Sequence, residues 1–276
     1  MPAPIYPPAV TPDTSRPLAV ITGPTAGIGR AFAERLAARG HDLVLVARDA
    51  ARLAALADEL TVRHGVGAEP WAGDLSDDAE MERLATALAA RPRVDVLVNN
   101  AGFGTLGTVA RADPAGQSRM VHLHCVAPLR LAQAVLPAML ARRAGLVVNV
   151  ASVAAFVTGP GNATYSGTKA FVQLWSEGLA AEVGHAGVRV QALCPGFTRT
   201  EFHERMRFAP SNIPGLLWMG ADAVVDASLR AADRGGPVTV VPGLHYRAMV
   251  AVLRHLPLRA RAAFAGRAPR KGRAEP

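Results

Sequence analysis

The chain has 276 residues, half of them hydrophobic, which suits one large α/β domain or two small ones. Its net charge of +8 is concentrated at the end: residues 244–276 hold eight Arg/Lys against Glu275, so the nearly neutral remainder argues against nucleic acid as a partner. Cys125 and Cys194 stand apart from any CxxC or Cys/His cluster, which excludes a disulfide framework or a zinc site, predicts no metal and fits a cytoplasmic protein.

Residues 1–17 are proline-rich without apolar periodicity and read as a disordered leader. No basic start is followed by an apolar targeting core, and the longest apolar runs fall short of the ~20 residues of a membrane span. Beyond the leader, seven short apolar runs recur: 18–22, 42–47, 68–72, 94–99, 145–151, 188–194 and 238–242. They are continuous rather than alternating, as expected of strands covered on both faces. The segments between them, such as "GRAFAERLAARG", space apolar residues by three and four and predict helices. The pattern predicts a doubly wound, seven-stranded parallel sheet of Rossmann type flanked by helices. A single domain is expected over 18–243, followed by a basic amphipathic extension over 244–276.

In such a sheet, ligands sit beyond the carboxyl ends of the strands where the strand order reverses, so the residues just after each run carry the information. After the first run comes "TGPTAGIG", Thr22 to Gly29. Gly23, Gly27 and Gly29, with Thr25 and Ile28 between them, suit a tight turn that brings backbone and a helix N-terminus up to a pyrophosphate. The second run ends in Ala47 and Arg48, where an NAD site wants an acid; an arginine there favours a 2′-phosphate, and thus NADP(H) over NAD(H). Arg48 also has a plain reading as a solvated side chain, partly neutralised by Asp49. Asp74 and Leu75 close the third run, where a carboxylate suits the adenine amine. The alternative is that Asp74 to Ser76 cap the next helix.

Lysine occurs only twice, at Lys169 and Lys271. Lys169 lies one helical turn after Tyr165 in "YSGTK", and Ser152 stands thirteen residues before that tyrosine, just past the fifth run. Tyr and Lys at i and i+4 face the same way. A free tyrosine titrates near ~10, and a cation ~4 to 5 Å away at an effective dielectric of ~20 offers roughly 3 to 4 kcal/mol, enough to lower it by about two to three units. No GxSxG elbow is present, so a hydrolase-type serine is not indicated.

"TGPTAGIG", "NNAG" (Asn99 to Gly102), Ser152, "YSGTK" and "PGFTRT" (Pro195 to Thr200), in this order and spacing, resemble the short-chain dehydrogenase/reductase family over residues 18 to about 243. The resemblance implies NAD(P)-dependent interconversion of an alcohol and a carbonyl. It implies Tyr165 as general acid/base, Lys169 as ribose ligand and tuner of the tyrosine, and Ser152 as hydrogen-bond partner of the substrate oxygen. Asn100, Ala101 and Gly102 would meet the cofactor, as would Pro195, Gly196, Thr198 and Thr200 beside the nicotinamide. Asn99 would mainly hold the central strands together. One position departs from the family: its fourth catalytic residue, an asparagine, is matched here by His124. That residue can join a proton relay or simply hold a helix kink.

Phe208, Ile213, Leu216, Leu217, Trp218 and Met219 follow the "PGFTRT" segment and predict either an apolar pocket for a small lipid, acyl or steroid-like carbonyl or alcohol, or core packing. Tyr246, Met249, Val250, Leu253 and Leu256 are helically spaced, with Arg247, Arg254 and Arg261 seven apart. This stripe suits a membrane surface or packing on the subunit. The expected protein is a homo-oligomeric (dimeric or tetrameric) oxidoreductase. A non-catalytic nucleotide-binding regulator or scaffold on the same fold is the competing class.

Overall fold

The computed structural model describes residues 16–105, 107–157, 159–201 and 214–257. Seven strands, β1 (Leu18–Thr22), β2 (Asp42–Ala47), β3 (Ala68–Ala72), β4 (Val96–Asn99), β5 (Gly145–Val150), β6 (Val188–Leu193) and β7 (Thr239–Val240), form one parallel sheet in the order β3-β2-β1-β4-β5-β6-β7. The crossovers are α1 (Gly27–Ala38), α2 (Ala50–His64), α3 (Asp78–Ala89), α4 and α5 (Pro114–Val121 and Ala127–Arg142), α6 (Ala163–Val183) and α7 (Ala221–Asp233). An eighth helix, α8 (Leu244–His255), follows the last strand.

Successive residues of a strand face opposite sides of the sheet, so a strand buried on both sides is apolar throughout. Ile21, Leu43, Leu45 and Val98 pack under Phe32, Leu36, Leu53, Leu60 and Leu229 of α1, α2 and α7. Their neighbours Val20, Val44, Val46 and Leu97 meet Leu84, Leu88, Leu131, Val135 and Leu179 of α3, α5 and α6 on the other side. The edge strand β3 departs from this most. β3 is half-buried along its length and carries Pro70, which an edge strand tolerates because its outer side needs no ladder bond.

Between β4 and β5 the chain runs as one continuous helix, Pro114–Arg142, which by length and composition alone would pass as a membrane span. The short apolar runs in the sequence do not anticipate that length. In the fold, Leu131, Val135 and Met139 are buried on the sheet. A π-turn at His122–Val126 interrupts the helix, where Ala127 donates its N–H to the carbonyl of His122. Pro128 explains the break, since it has no N–H for the carbonyl of His124 four residues earlier.

The apolar face of α8 is turned inward. Tyr246, Val250 and Leu253 are buried, and the last two join Phe156, Val172 and Cys194 in a third cluster. Arg254 stacks on the ring of Phe156 at 5.0 Å and lies 3.5 Å from Glu177. Of the two readings of this stripe, packing on the subunit is the one the helix adopts. Arg261 lies outside the described residues.

Candidate active site

β1 and β4 are neighbours, and the chain leaves them towards opposite edges, so a crevice opens beyond their carboxyl ends. Thr22 closes β1, and its Oγ1 accepts from the backbone N–H groups of Asn100 and Ala101, both at 2.9 Å. Asn100 returns its side-chain amide to the carbonyls of Thr22 (2.9 Å) and Gly23 (3.0 Å). The "NNAG" segment thus braces the glycine turn from beneath. Gly23 and Gly27 have φ of 68° and 56°. Gly29 packs so closely that a Cβ would run into the carbonyl of Gly23 and the amide of Asn100.

Helices α2, α3 and α4 each begin with an aspartate (Asp49, Asp77, Asp113) that accepts from their own first-turn N–H groups. At α1 the N-cap is Ala26, with no side-chain cap. Its first-turn donors and positive dipole end are left facing the crevice, which fits an anionic pyrophosphate.

Arg48, 70% exposed, follows β2 and lies 3.6 Å from Asp74. Asp49 spends its carboxylate on the N–H of Arg52 at 3.0 Å. Asp74 accepts from the N–H (3.0 Å) and hydroxyl (2.7 Å) of Ser76, while the cap of α3 is Asp77, not the Asp74–Ser76 segment. Burial works against the Asp74 carboxylate, but the bonds from Ser76 and the charge of Arg48 outweigh it and hold its pKa below the ordinary value. Sequence reasoning missed Arg52, whose guanidinium donates to the carbonyl of Thr25 in the glycine turn (3.2 Å) and to Glu201 (2.9 Å). Its spacing of four from Arg48 at the start of α2 was the available signal.

Ser152 leaves β5 with its Oγ accepting from the N–H of Ala154 at 3.1 Å. Tyr165 and Lys169 follow one turn apart on α6; Lys169 is 6% exposed, its Nζ 5.8 Å from the Tyr165 ring centroid and donating to the carbonyl of Val150 at 2.8 Å. Burial pushes the Lys169 ammonium down to about 8. Burial likewise pushes the Tyr165 phenol up to about 12, against a smaller opposing effect of its bond with Ser152. The direction is opposite to the lowering expected from the spacing: loss of hydration at the phenolate outweighs the bond from Ser152.

His124 is buried at the π-turn. Its Nε2 accepts from the N–H of Phe103 at 3.2 Å, which assigns the proton to Nδ1, and Nδ1–H donates to Thr168 Oγ1 at 2.9 Å. With both nitrogens engaged, the ring ties the loop after β4 to α6. A Cβ on Gly102 would come within 2.7 Å of Nε2. Burial, with the nearby Lys169 charge, holds the imidazole well below 6.5 and so neutral. Asn99 is occupied elsewhere, donating to Asn149 at 2.8 Å, which in turn donates to Ser176 at 2.9 Å.

After β6, Pro195 accepts from the N–H of Val153 at 3.0 Å, placing the "PGFTRT" segment beside Ser152. Thr198 is buried and its hydroxyl donates to the carbonyl of Gly196 at 3.0 Å. Thr200 lies against the glycine turn: a Cβ on Gly27 would come within 2.6 Å of its methyl group. Among the apolar residues expected of a pocket, Leu217, Trp218 and Met219 are half-buried, and Leu216 is 85% exposed. Phe208 and Ile213 lie outside the described residues. No group of three or more His, Cys, Asp or Glu that could hold a metal occurs among the described residues.

A parallel sheet opening between β1 and β4 beneath an uncapped, glycine-rich turn is the Rossmann-type dinucleotide-binding arrangement. The short chain dehydrogenase family model matches residues 17–209. The chain is 36% identical to a very-long-chain 3-oxoacyl-CoA reductase of Aspergillus clavatus over 71% of its own length and 57% of the relative's, and so spans little more than half of that protein. A short-chain dehydrogenase from Sphingobium yanoikuyae in complex with NADPH is 39% identical, with a TM-score of 0.81 over 86% of this chain and 92% of the other. The bulky-bulky ketone specific alcohol dehydrogenase from Comamonas testosteroni is 34% identical, with a TM-score of 0.75 over 88% and 96%. The chain belongs to the short-chain dehydrogenase/reductase family.

Proposed function

We propose that this protein is an NADP(H)-dependent oxidoreductase that interconverts a bulky, hydrophobic ketone and its alcohol, running chiefly as a reductase. The observation that carries the reading is the convergence of Tyr165, bonded to Ser152 and one turn from Lys169, at the crevice where the glycine turn opens, with burial raising the phenol's pKa. A phenol kept protonated is ready to act as an acid, which is what carbonyl reduction requires.

NADPH, when bound, supplies the hydride. The uncapped N-terminus of α1 and the Gly23–Gly29 turn would hold its pyrophosphate, and Arg48 its 2′-phosphate. The Arg48–Asp74 contact is long and exposed, so exchanging it for a phosphate costs little. Asp74 and Leu75 would border its adenine, Asn100 to Gly102 would form the floor, and Pro195, Gly196, Thr198 and Thr200 would flank the nicotinamide. Lys169 has two ammonium protons beyond the one given to Val150, suited to ribose hydroxyls.

In this reading Ser152 donates to the substrate oxygen and Tyr165 gives it a proton. The Lys169 cation stabilises the phenolate left behind. His124 acts as a positioning residue through Thr168 and Phe103. The names of the relatives support a long-chain 3-oxoacyl thioester or another ketone with two large substituents. Half-buried Leu217, Trp218 and Met219 are apolar surface for such a group.

The test is NADPH consumption with a panel of hydrophobic ketones and 3-oxoacyl thioesters, comparing wild type with Tyr165→Phe. A loss of at least about a hundredfold is expected. Equal rates in the two proteins would remove the assignment.

A further inference from the structure

Gly196 and Phe197 lie on the nicotinamide side of the proposed site, and what stands behind them comes from the far end of the chain. The ring of Tyr246, from the first turn of α8, is packed so tightly on Gly196 that any Cβ there would enter the ring. Its hydroxyl accepts from the N–H of Phe197 at 2.9 Å and donates to the carbonyl of Leu217 at 2.7 Å. One phenol therefore satisfies two backbone groups of different segments. Those segments also pair with each other: Met219 donates to the carbonyl of Phe197 and Arg199 to the carbonyl of Met219, both at 2.9 Å. Tyr246 is 2% exposed, and its helix is anchored by Val250 and Leu253 in the core and by Arg254 on Phe156.

We propose that Tyr246 is a positioning residue for the cofactor: a clamp that fixes Gly196 to Arg199 against 217–219 and so sets the wall on which the nicotinamide half of NADP(H) rests. The proposal builds on the cofactor reading given above. It explains why a phenol is used where apolar packing alone would accept phenylalanine. Ring packing holds α8 to the sheet, whereas the hydroxyl holds the loop. A residue 49 positions beyond Phe197 thereby reaches the cofactor side without touching the cofactor.

Tyr246→Phe keeps the ring and deletes the clamp, and Leu253→Ala, on the same face of α8, weakens the helix anchor without touching the loop. Hydrogen exchange on the cofactor-free proteins is expected to accelerate at residues 197–199 and 219 in Tyr246→Phe beyond any change in Leu253→Ala. In NADPH titrations the dissociation constant should rise about five- to tenfold in Tyr246→Phe and stay within about twofold of wild type in Leu253→Ala. Unchanged exchange in Tyr246→Phe, or dissociation constants that rise equally in both variants, would overturn the clamp. Wild-type protein that takes up no NADPH would instead overturn the cofactor reading, and the exchange comparison would still decide the role of Tyr246.

Discussion

His124 Nδ1 lies 2.9 Å from Thr168 Oγ1, and Thr168 gives its own hydroxyl proton to the carbonyl of Tyr165 at 2.8 Å. The histidine thus supports the turn of α6 that carries the tyrosine, and its ring meets the Tyr165 ring edge to face at 5.9 Å. Since its ring is held neutral well below 6.5, no limb near pH 6.5 is expected in the kcat/KM profile for ketone reduction. His124→Leu, which strands the Phe103 N–H, should lower Tm by about 4 to 8 °C and activity about tenfold, with His124→Asn recovering part of both. A wild-type limb near pH 6.5 that disappears in His124→Asn would reassign the residue to proton transfer.

Arg48 offers an exposed guanidinium at the end of β2. Arg48→Asp should reduce the NADPH-over-NADH preference in kcat/KM by at least about tenfold, because a carboxylate repels a 2′-phosphate and accepts from ribose hydroxyls. Steady-state kinetics with both nucleotides decide the matter, and an unchanged ratio would show that the phosphate is recognised elsewhere.

Lys169 is a buried cation whose pKa is depressed from 10.5 to about 8. Its charged form is therefore disfavoured in the folded state, and this cost is fully present below pH 8. Between pH 8 and 10.5 the unfolded chain binds more protons than the folded one, so stability gains with rising pH from this group. Lys169→Met should raise the Tm of cofactor-free protein at pH 7 by about 2 to 6 °C, and the advantage should vanish as pH approaches 10.5. The same variant should lose most ketone-reducing activity. Thermal melts at several pH values check the first point, and a lower Tm at pH 7 would contradict it.

Because the Tyr165 phenol is raised to about 12, it stays protonated throughout the ordinary pH range. Ketone reduction should then be level below pH 8 and decline as Lys169 loses its proton. Alcohol oxidation, which needs the phenolate beside a charged Lys169, should instead climb with pH up to about 8 and level off above it, where loss of the cation offsets the gain in phenolate. Profiles of kcat/KM in both directions would reveal this divergence; parallel profiles would rule it out.

Much of the sheet was legible because buried parallel strands are written as unbroken apolar runs. β1, β2 and β3 coincide with the sequence segments, and β5 and β6 end one residue early. β7 shrinks from the expected 238–242 to Thr239–Val240, since it pairs with β6 alone at the sheet edge. Periodicity reveals which face of a helix is apolar but not what that face meets. It placed Tyr246 in a stripe open to a membrane surface or to packing on the subunit, and its bonds to Phe197 and Leu217 join segments too distant for spacing rules. Arg52 was open to a spacing argument from Arg48, but its partner Glu201, 149 residues away, was not. At Tyr165 and Lys169 the spacing of charge and phenol was readable, whereas their depth was not, and depth decides the direction of both pKa shifts.

Tyr246 also imposes an order on biosynthesis. A nascent chain that has emerged through Val240 carries all seven strands of the sheet, yet the N–H of Phe197 and the carbonyl of Leu217 still lack their common partner. Only when the first turn of α8 leaves the ribosome does that phenol arrive. A premature stop shortly after β7 would therefore yield a product with every strand present and the loop beside Gly196 unfinished.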